Sequence, residues 1–208
     1  MSSNTFGRLV EDGVGLAVDL RNSDEELSHP FLPNRQGEIS QHGHYSYTLN
    51  NVESVSDVLQ IRQYTMKNME NGTTSDFKVI RRKIGDSLAL TPSQLGDLVD
   101  RIQSEKASIA NSARPKLYIS CAWGMGRTMM VYEALALKSA LDAGRLNIGN
   151  YQSEFVEAFV RGMEIRGRTA VEYPSQLDAL YRYAERLAIR SWKPLEQAAN
   201  ANPARHAA

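Results

Sequence analysis

One cysteine stands in 208 residues. A lone cysteine closes no internal disulfide and builds no cysteine-based zinc cluster, so the core alone has to hold the fold. A chain of this length manages that, because about 70% of its unfolded surface can be buried. An excess of either charge is also missing, since 24 Lys plus Arg balance 24 Asp plus Glu. That balance excludes a dedicated nucleic-acid binder and a protein adsorbed on anionic lipid, both of which need basic excess. No apolar run approaches the ~20 residues that span a bilayer. The start, Met1-Ser-Ser-Asn-Thr5, lacks a basic-then-apolar leader. A cytoplasmic location is expected, with export as an effector by a specialised system as the alternative. Internal repeats and low-complexity tracts are absent too.

What is present reads as an α/β chain. Val14–Leu20 is a short apolar run, most simply a buried strand. From Asn22 to about Asn51 the chain is rich in His, Pro, Gly and Asn and reads as irregular, either functional or wrapped around the core. The spacing of Val52, Val55, Leu59, Tyr64 and Met66 predicts a helix over roughly 53–69, and Asn71-Gly72 marks a turn. Phe77–Arg82 is a strand candidate. Thr91-Pro92-Ser93-Gln94 is a helix start, with Thr91 as cap, Pro92 in the first position and Gln94 closing a capping box. Leu95, Leu98, Val99 and Ile102 supply its apolar stripe, and Lys116–Ser120 follows as a strand. Strand, helix and strand in that order imply a crossover between parallel strands.

Met130, Val131, Ala134, Leu135 and Leu141 mark a further helix ending at Gly144. Two more are expected at about 151–166 and 174–190. The architecture expected is a central, mostly parallel sheet flanked by helices, with a helical C-terminal half. Residues 1–193 would form one domain with a core at about 14–190, and residues 194–208 a disordered tail.

The segment that carries chemistry is Ile119-Ser120-Cys121-Ala122-Trp123-Gly124-Met125-Gly126-Arg127-Thr128. The cysteine ends a strand and the arginine opens a helix. Gly124 and Gly126 permit a loop whose backbone N–H groups turn inward around an oxyanion. The helix points its positive end at the same spot. Arg127 binds two phosphate oxygens through a planar fork that lysine lacks. The same positive field favours a thiolate at Cys121, which makes it a nucleophile held against a bound phosphate.

Asp86 lies in the loop between the strand at 77–82 and the next helix. Loops after parallel strands open on one edge of a sheet, so this loop and the cysteine loop should face one crevice. Asp86 is the candidate acid for the leaving oxygen, on a loop that Gly85 lets close. Arg21, Arg81, Arg82 and Lys83 end strands at that edge and would hold a polyanion. His42 and His44 find no third ligand at a familiar spacing, and no metal is expected. Gly13-x-Gly15 precedes its strand instead of following it, so a dinucleotide site is not supported.

The order Cys121, five residues, Arg127, Thr128 resembles the signature of the cysteine-dependent phosphatase superfamily. The resemblance implies a protein tyrosine phosphatase-like fold, a phosphocysteine intermediate at Cys121, phosphate bound by Arg127, and thiolate release assisted by Thr128. It implies no cofactor. Val18-Asp-Leu-Arg21 with Ser28-His29-Pro-Phe-Leu-Pro-Asn34 is similar to the pattern of the protein-tyrosine-phosphatase-like phytases. So are Gly85-Asp86-Ser87 with Thr91-Pro92, and Leu177–Tyr183 near the end.

That branch implies inositol polyphosphates such as phytate as substrates, with His29 added to the substrate-binding residues. Ser120 and Ser87 stand where the branch carries His, and Met125 where many relatives carry Lys. A tyrosine or dual-specificity phosphatase acting on a phosphopeptide, and a pseudo-phosphatase that only binds a phosphorylated ligand, remain the alternatives.

Overall fold

The computed structural model describes residues 3–28, 32–109, 115–122, 125–167, 171 and 173–200. In chain order it contains α1 (Ser3–Glu11), β1 (Val14–Asp19), α2 (Ser23–Ser28), β2 (Ile39–His42), β3 (Tyr45–Ser56), β4 (Leu59–Asn68) and β5 (Thr74–Arg82). Then come α3 (Pro92–Ala107), β6 (Lys116–Ser120), α4 (Gly126–Asp142), α5 (Tyr151–Arg166) and α6 (Pro174–Asn200). The described residues divide into two compact units. One takes 1–86 with 100–124, the other 87–99 with 125–208.

The first unit is built on a sheet in the order β2-β3-β4-β5-β1-β6. β1 runs parallel to β5 and to β6, while the pairings β2–β3, β3–β4 and β4–β5 are antiparallel. The sheet is therefore mixed, and the mostly parallel arrangement expected from the sequence holds around β1 alone. The chain from β5 through α3 to β6 steps over β1, which lies between the two parallel strands it joins.

The helix expected at 53–69 does not form. That stretch is a β3–β4 hairpin, and its period is two, with Tyr45, Tyr47 and Leu49 buried and Ser46, Thr48 and Asn50 pointing away. Val55 is 39% exposed, so the apolar residues that fitted helical spacing line no common face. Between Asn22 and Asn51 the described residues include α2, β2 and half of β3. The turn at Asn71-Gly72 is present, with Gly72 at a φ of 74° and the Thr73 N–H donating to the Asn71 side chain at 2.9 Å.

Phe6 and Val10 of α1 cover one face of this sheet against Ala17, Tyr45, Tyr47, Tyr64, Met66, Phe77 and Val79. Gly7 is required there, since a Cβ on it would fall 2.3 Å from the Tyr45 ring. Phe6 meets Phe77 and Tyr118 edge-on, and Tyr64 stacks on Phe77 with centroids 5.2 Å apart. Rings in these offset and edge arrangements add directional attraction to the area they bury.

The second unit is helical. α4 buries Met129, Met130, Val131, Ala134, Leu137 and Ala140, and α6 buries Leu180, Tyr183, Ala184, Leu187 and Ala188. Phe155 of α5 meets Tyr181 of α6 edge-on at 5.4 Å. The capping box forms as the sequence predicts: the Thr91 N–H donates to Gln94 Oε1 at 3.0 Å and the Gln94 N–H to Thr91 Oγ1 at 3.3 Å. α6 runs from Pro174 to Asn200.

Candidate active site

β1 and β6 bring the cysteine to the edge of the sheet. Asp19 lies opposite Ser120 on one side and Arg81 on the other. The Leu20 N–H donates to the Ser120 carbonyl at 2.8 Å, which carries the ladder one residue beyond β1. Arg21 and Cys121 therefore leave the sheet on neighbouring strands. Cys121 is buried, and Ala122 after it is exposed.

Beside it lies a buried ion network that the sequence reading approached from its cations alone. Arg21 donates through Nε and Nη2 to the two Asp19 oxygens at 3.0 and 2.9 Å, a bidentate pair. Arg81, whose side chain is 1% exposed, pairs with Asp19 at 3.4 Å and with Glu26 at 2.9 Å. It also donates to the carbonyl oxygens of Arg21 and Asn22. Arg62 takes the other Glu26 oxygen at 2.8 Å and donates to Asn34 Oδ1 at 2.8 Å.

Burial works against the Arg21 charge. The hydrogen bond and charge of Asp19, with Glu26 and Glu25, outweigh it and raise the pKa of Arg21. Of the residues expected to hold a polyanion, Arg21 and Arg81 are thus engaged by carboxylates. Arg82 and Lys83 are half-buried.

Asp86 is exposed on the loop that follows β5. Ile84, 3% exposed, roots that loop, and the Lys83 N–H donates to the Val58 carbonyl at 2.9 Å. Ser87, next along, has a φ of 63°, the sole non-glycine among the described residues in the left-handed region. A residue held there costs of order 1 kcal/mol, so this turn is fixed against a local preference.

In the second unit, Arg127 and Thr128 occupy the first turn of α4, and both are buried, as is Gly126. Met125 precedes the helix without a side-chain cap bond, and no acidic residue lies in the first turn. The positive end of the helix is thus not offset by a carboxylate of its own. His29, Trp123 and Gly124 lie outside the described residues. His44 pairs with Glu70 at 2.8 Å, and no group of three metal-ligating side chains occurs among the described residues.

Three residues of weight escaped the sequence reading. From sequence Glu26 falls in a stretch that reads as irregular and Arg62 in one that reads as helical, where no pattern sets them apart. Glu133 is buried on α4, and burial raises its carboxyl to about 8. The available signal is an acid among Met130, Val131, Ala134 and Leu137, all core residues, while Tyr132 beside it is exposed.

No protein-family model matches the chain, and no curated protein matches it. Solved structures do. The catalytic domain of human protein tyrosine phosphatase non-receptor type 18 superposes with a TM-score of 0.72 at 16% identity, over 89% of this chain and 64% of that one. The same phosphatase in complex with HER2-pY1196 phosphopeptides gives a TM-score of 0.70 at 15% identity, over 89% and 62%. A third structure, of that phosphatase on distinct HER2 tyrosine phosphorylation sites, gives 0.71 at 15%, over 90% and 65%. The fold is that of protein tyrosine phosphatase catalytic domains, and this chain spans less than two thirds of the length of those it matches.

Proposed function

We propose that this protein is a cysteine-dependent phosphatase that hydrolyses phosphotyrosine in a protein or peptide. The observation that carries the reading is the run from Cys121, directly after β6, to Arg127 and Thr128 in the first turn of α4, on a tyrosine phosphatase fold. In this scheme the Cys121 thiolate attacks phosphorus. An S–P bond forms, the ester P–O bond breaks, and the leaving oxygen takes a proton from the Asp86 carboxyl. Arg127 binds phosphate oxygens through its planar fork. Water then attacks the phosphocysteine and gives its proton to Asp86. Orthophosphate departs, and the Thr128 hydroxyl donates to the sulfur as it leaves as thiolate. No cofactor takes part.

The choice of substrate turns on the arginines. An inositol polyphosphate needs several cations free to meet it, and Arg21 and Arg81 are paired with Asp19 and Glu26. A single phosphate on a tyrosine makes no such demand. A neighbour of the same fold is described in complex with phosphopeptides, which supports the same reading.

The test compares phosphate release from a phosphotyrosine peptide and from inositol hexakisphosphate, for the wild type and Cys121→Ser. Release from the peptide that is lost in the variant supports the proposal. Faster release from the inositol phosphate reverses the substrate assignment. Tight peptide binding without release by the wild type identifies a pseudo-phosphatase.

A further inference from the structure

Buried ion networks rarely repay their desolvation as stability, and apolar residues of the same volume often do as well. The one described here sits at a functional edge of the sheet. Glu26 is its fork, with Oε1 taken by Arg62 of β4 and Oε2 by Arg81 of β5. Each arginine also grips the chain that leaves β1. Arg81 holds the carbonyls of Arg21 and Asn22, and Arg62 holds the side chain of Asn34. The Tyr64 hydroxyl donates to the Pro33 carbonyl at 3.0 Å, tying the same return. The Asn22 and Glu25 side chains close onto each other's backbone N–H groups at 2.8 and 2.7 Å. The stretch Arg21–Glu26 is thereby fixed to two strands, and it starts beside Cys121 through the Leu20–Ser120 bond.

We propose that Glu26 is a positioning residue that, through Arg62 and Arg81, holds Arg21–Glu26 as the surface on which the phosphotyrosine side chain and its flanking peptide are seated. The inference rests on the phosphatase reading and deepens it: Glu26 governs affinity for the part of the substrate beyond the phosphate. Glu26→Gln keeps the volume and removes the charge that both guanidiniums share. One amide nitrogen then faces an arginine, so the fork opens on that side.

The experiment measures kcat and KM on a phosphotyrosine peptide for wild type and Glu26→Gln, with inorganic phosphate as competitive inhibitor. The expected result is a KM raised about tenfold, kcat within about twofold, and unchanged inhibition by phosphate, which does not reach the seat. A role in folding alone lowers the active fraction, and so kcat, while KM and phosphate inhibition stay put. That result, or KM and phosphate inhibition moving together, overturns the inference. Should Glu26→Gln fail to fold, Glu26→Asp, which keeps the charge on a shorter arm, is read by the same split.

A wild type that turns over the peptide while Glu26→Gln leaves KM unchanged defeats this inference and spares the phosphatase reading. A wild type without turnover defeats that reading, and peptide dissociation constants by calorimetry then decide the role of Glu26. Equal constants in the two proteins overturn it.

Discussion

Glu133 on α4 faces Gly162 on α5 so closely that a Cβ on the glycine would lie 2.2 Å from the carboxyl Oε1 and 3.2 Å from Met129 Cε. The acid fills the space that a side chain would otherwise take. Gly162→Ala is therefore expected to cost about 1–3 kcal/mol through overpacking. Most of that cost should vanish when Glu133 is also cut to alanine. Denaturant unfolding of the two single variants and the double variant reads the coupling.

The same carboxyl makes stability depend on pH. Neither of its oxygens meets a hydrogen-bond partner, and burial raises its pKa from 4.5 to about 8. Between those values the folded state keeps a proton that the unfolded state has lost. The stability this group contributes is full below pH 4.5 and falls as pH rises through that window. At about 1.4 kcal/mol per pH unit the loss by pH 8 is a few kcal/mol. Glu133→Gln should flatten this part of the profile and unfold later than wild type at pH 8, as thermal melts across the range would show.

Arg81 is expected to be the costliest of the arginines to lose. It is among the largest fully buried side chains and bonds to two carboxylates and two carbonyls. Arg81→Met leaves buried Asp19 and half-buried Glu26 with fewer partners, at about 3 kcal/mol or more. Arg182→Met, which breaks an exposed pair with Asp178, should cost less than about 0.5 kcal/mol. Chemical denaturation of both variants checks the contrast.

The start of α3 gives a smaller, local prediction. Thr91→Ala removes the acceptor for the Gln94 N–H and should cost about 1 kcal/mol. Thr91→Ser, which keeps the hydroxyl, should recover most of it.

These residues also show what the sequence conveyed and what it withheld. Thr91-Pro92-Ser93-Gln94 was legible because a capping box is local, its partners three residues apart. Asn71-Gly72 and Gly144 were legible for the same reason, each meeting a backbone need that glycine meets best. Val14–Asp19 and Lys116–Ser120 stood out as short apolar strands around the cysteine loop. The β3–β4 hairpin did not.

Its turn at Asp57-Val58 carries no Asn-Gly signal, and irregularities near Asn50 and Val55 break the alternation that marks a strand. With that period hidden, Val52, Val55 and Leu59 fitted a helix by coincidence. The partners of the arginines were hidden for a different reason. Arg21 and Arg81 were rightly placed at strand ends, but their partners Asp19 and Glu26 meet Arg81 across 62 and 55 residues of chain, beyond the reach of spacing. Glu133 was missed because a helical stripe is read from apolar residues, and a protonated acid hides within one.

The central claim is that Cys121 carries the phosphoryl group during turnover. The direct measurement is a single-turnover reaction with a phosphotyrosine peptide, quenched in acid and read by mass spectrometry of the intact protein and its Cys121 peptide. The account predicts a phosphoryl group on Cys121 at early times that decays as orthophosphate appears, with neither seen in Cys121→Ser. Orthophosphate released by Cys121→Ser at the wild-type rate, or turnover by the wild type with Cys121 never phosphorylated, would contradict it.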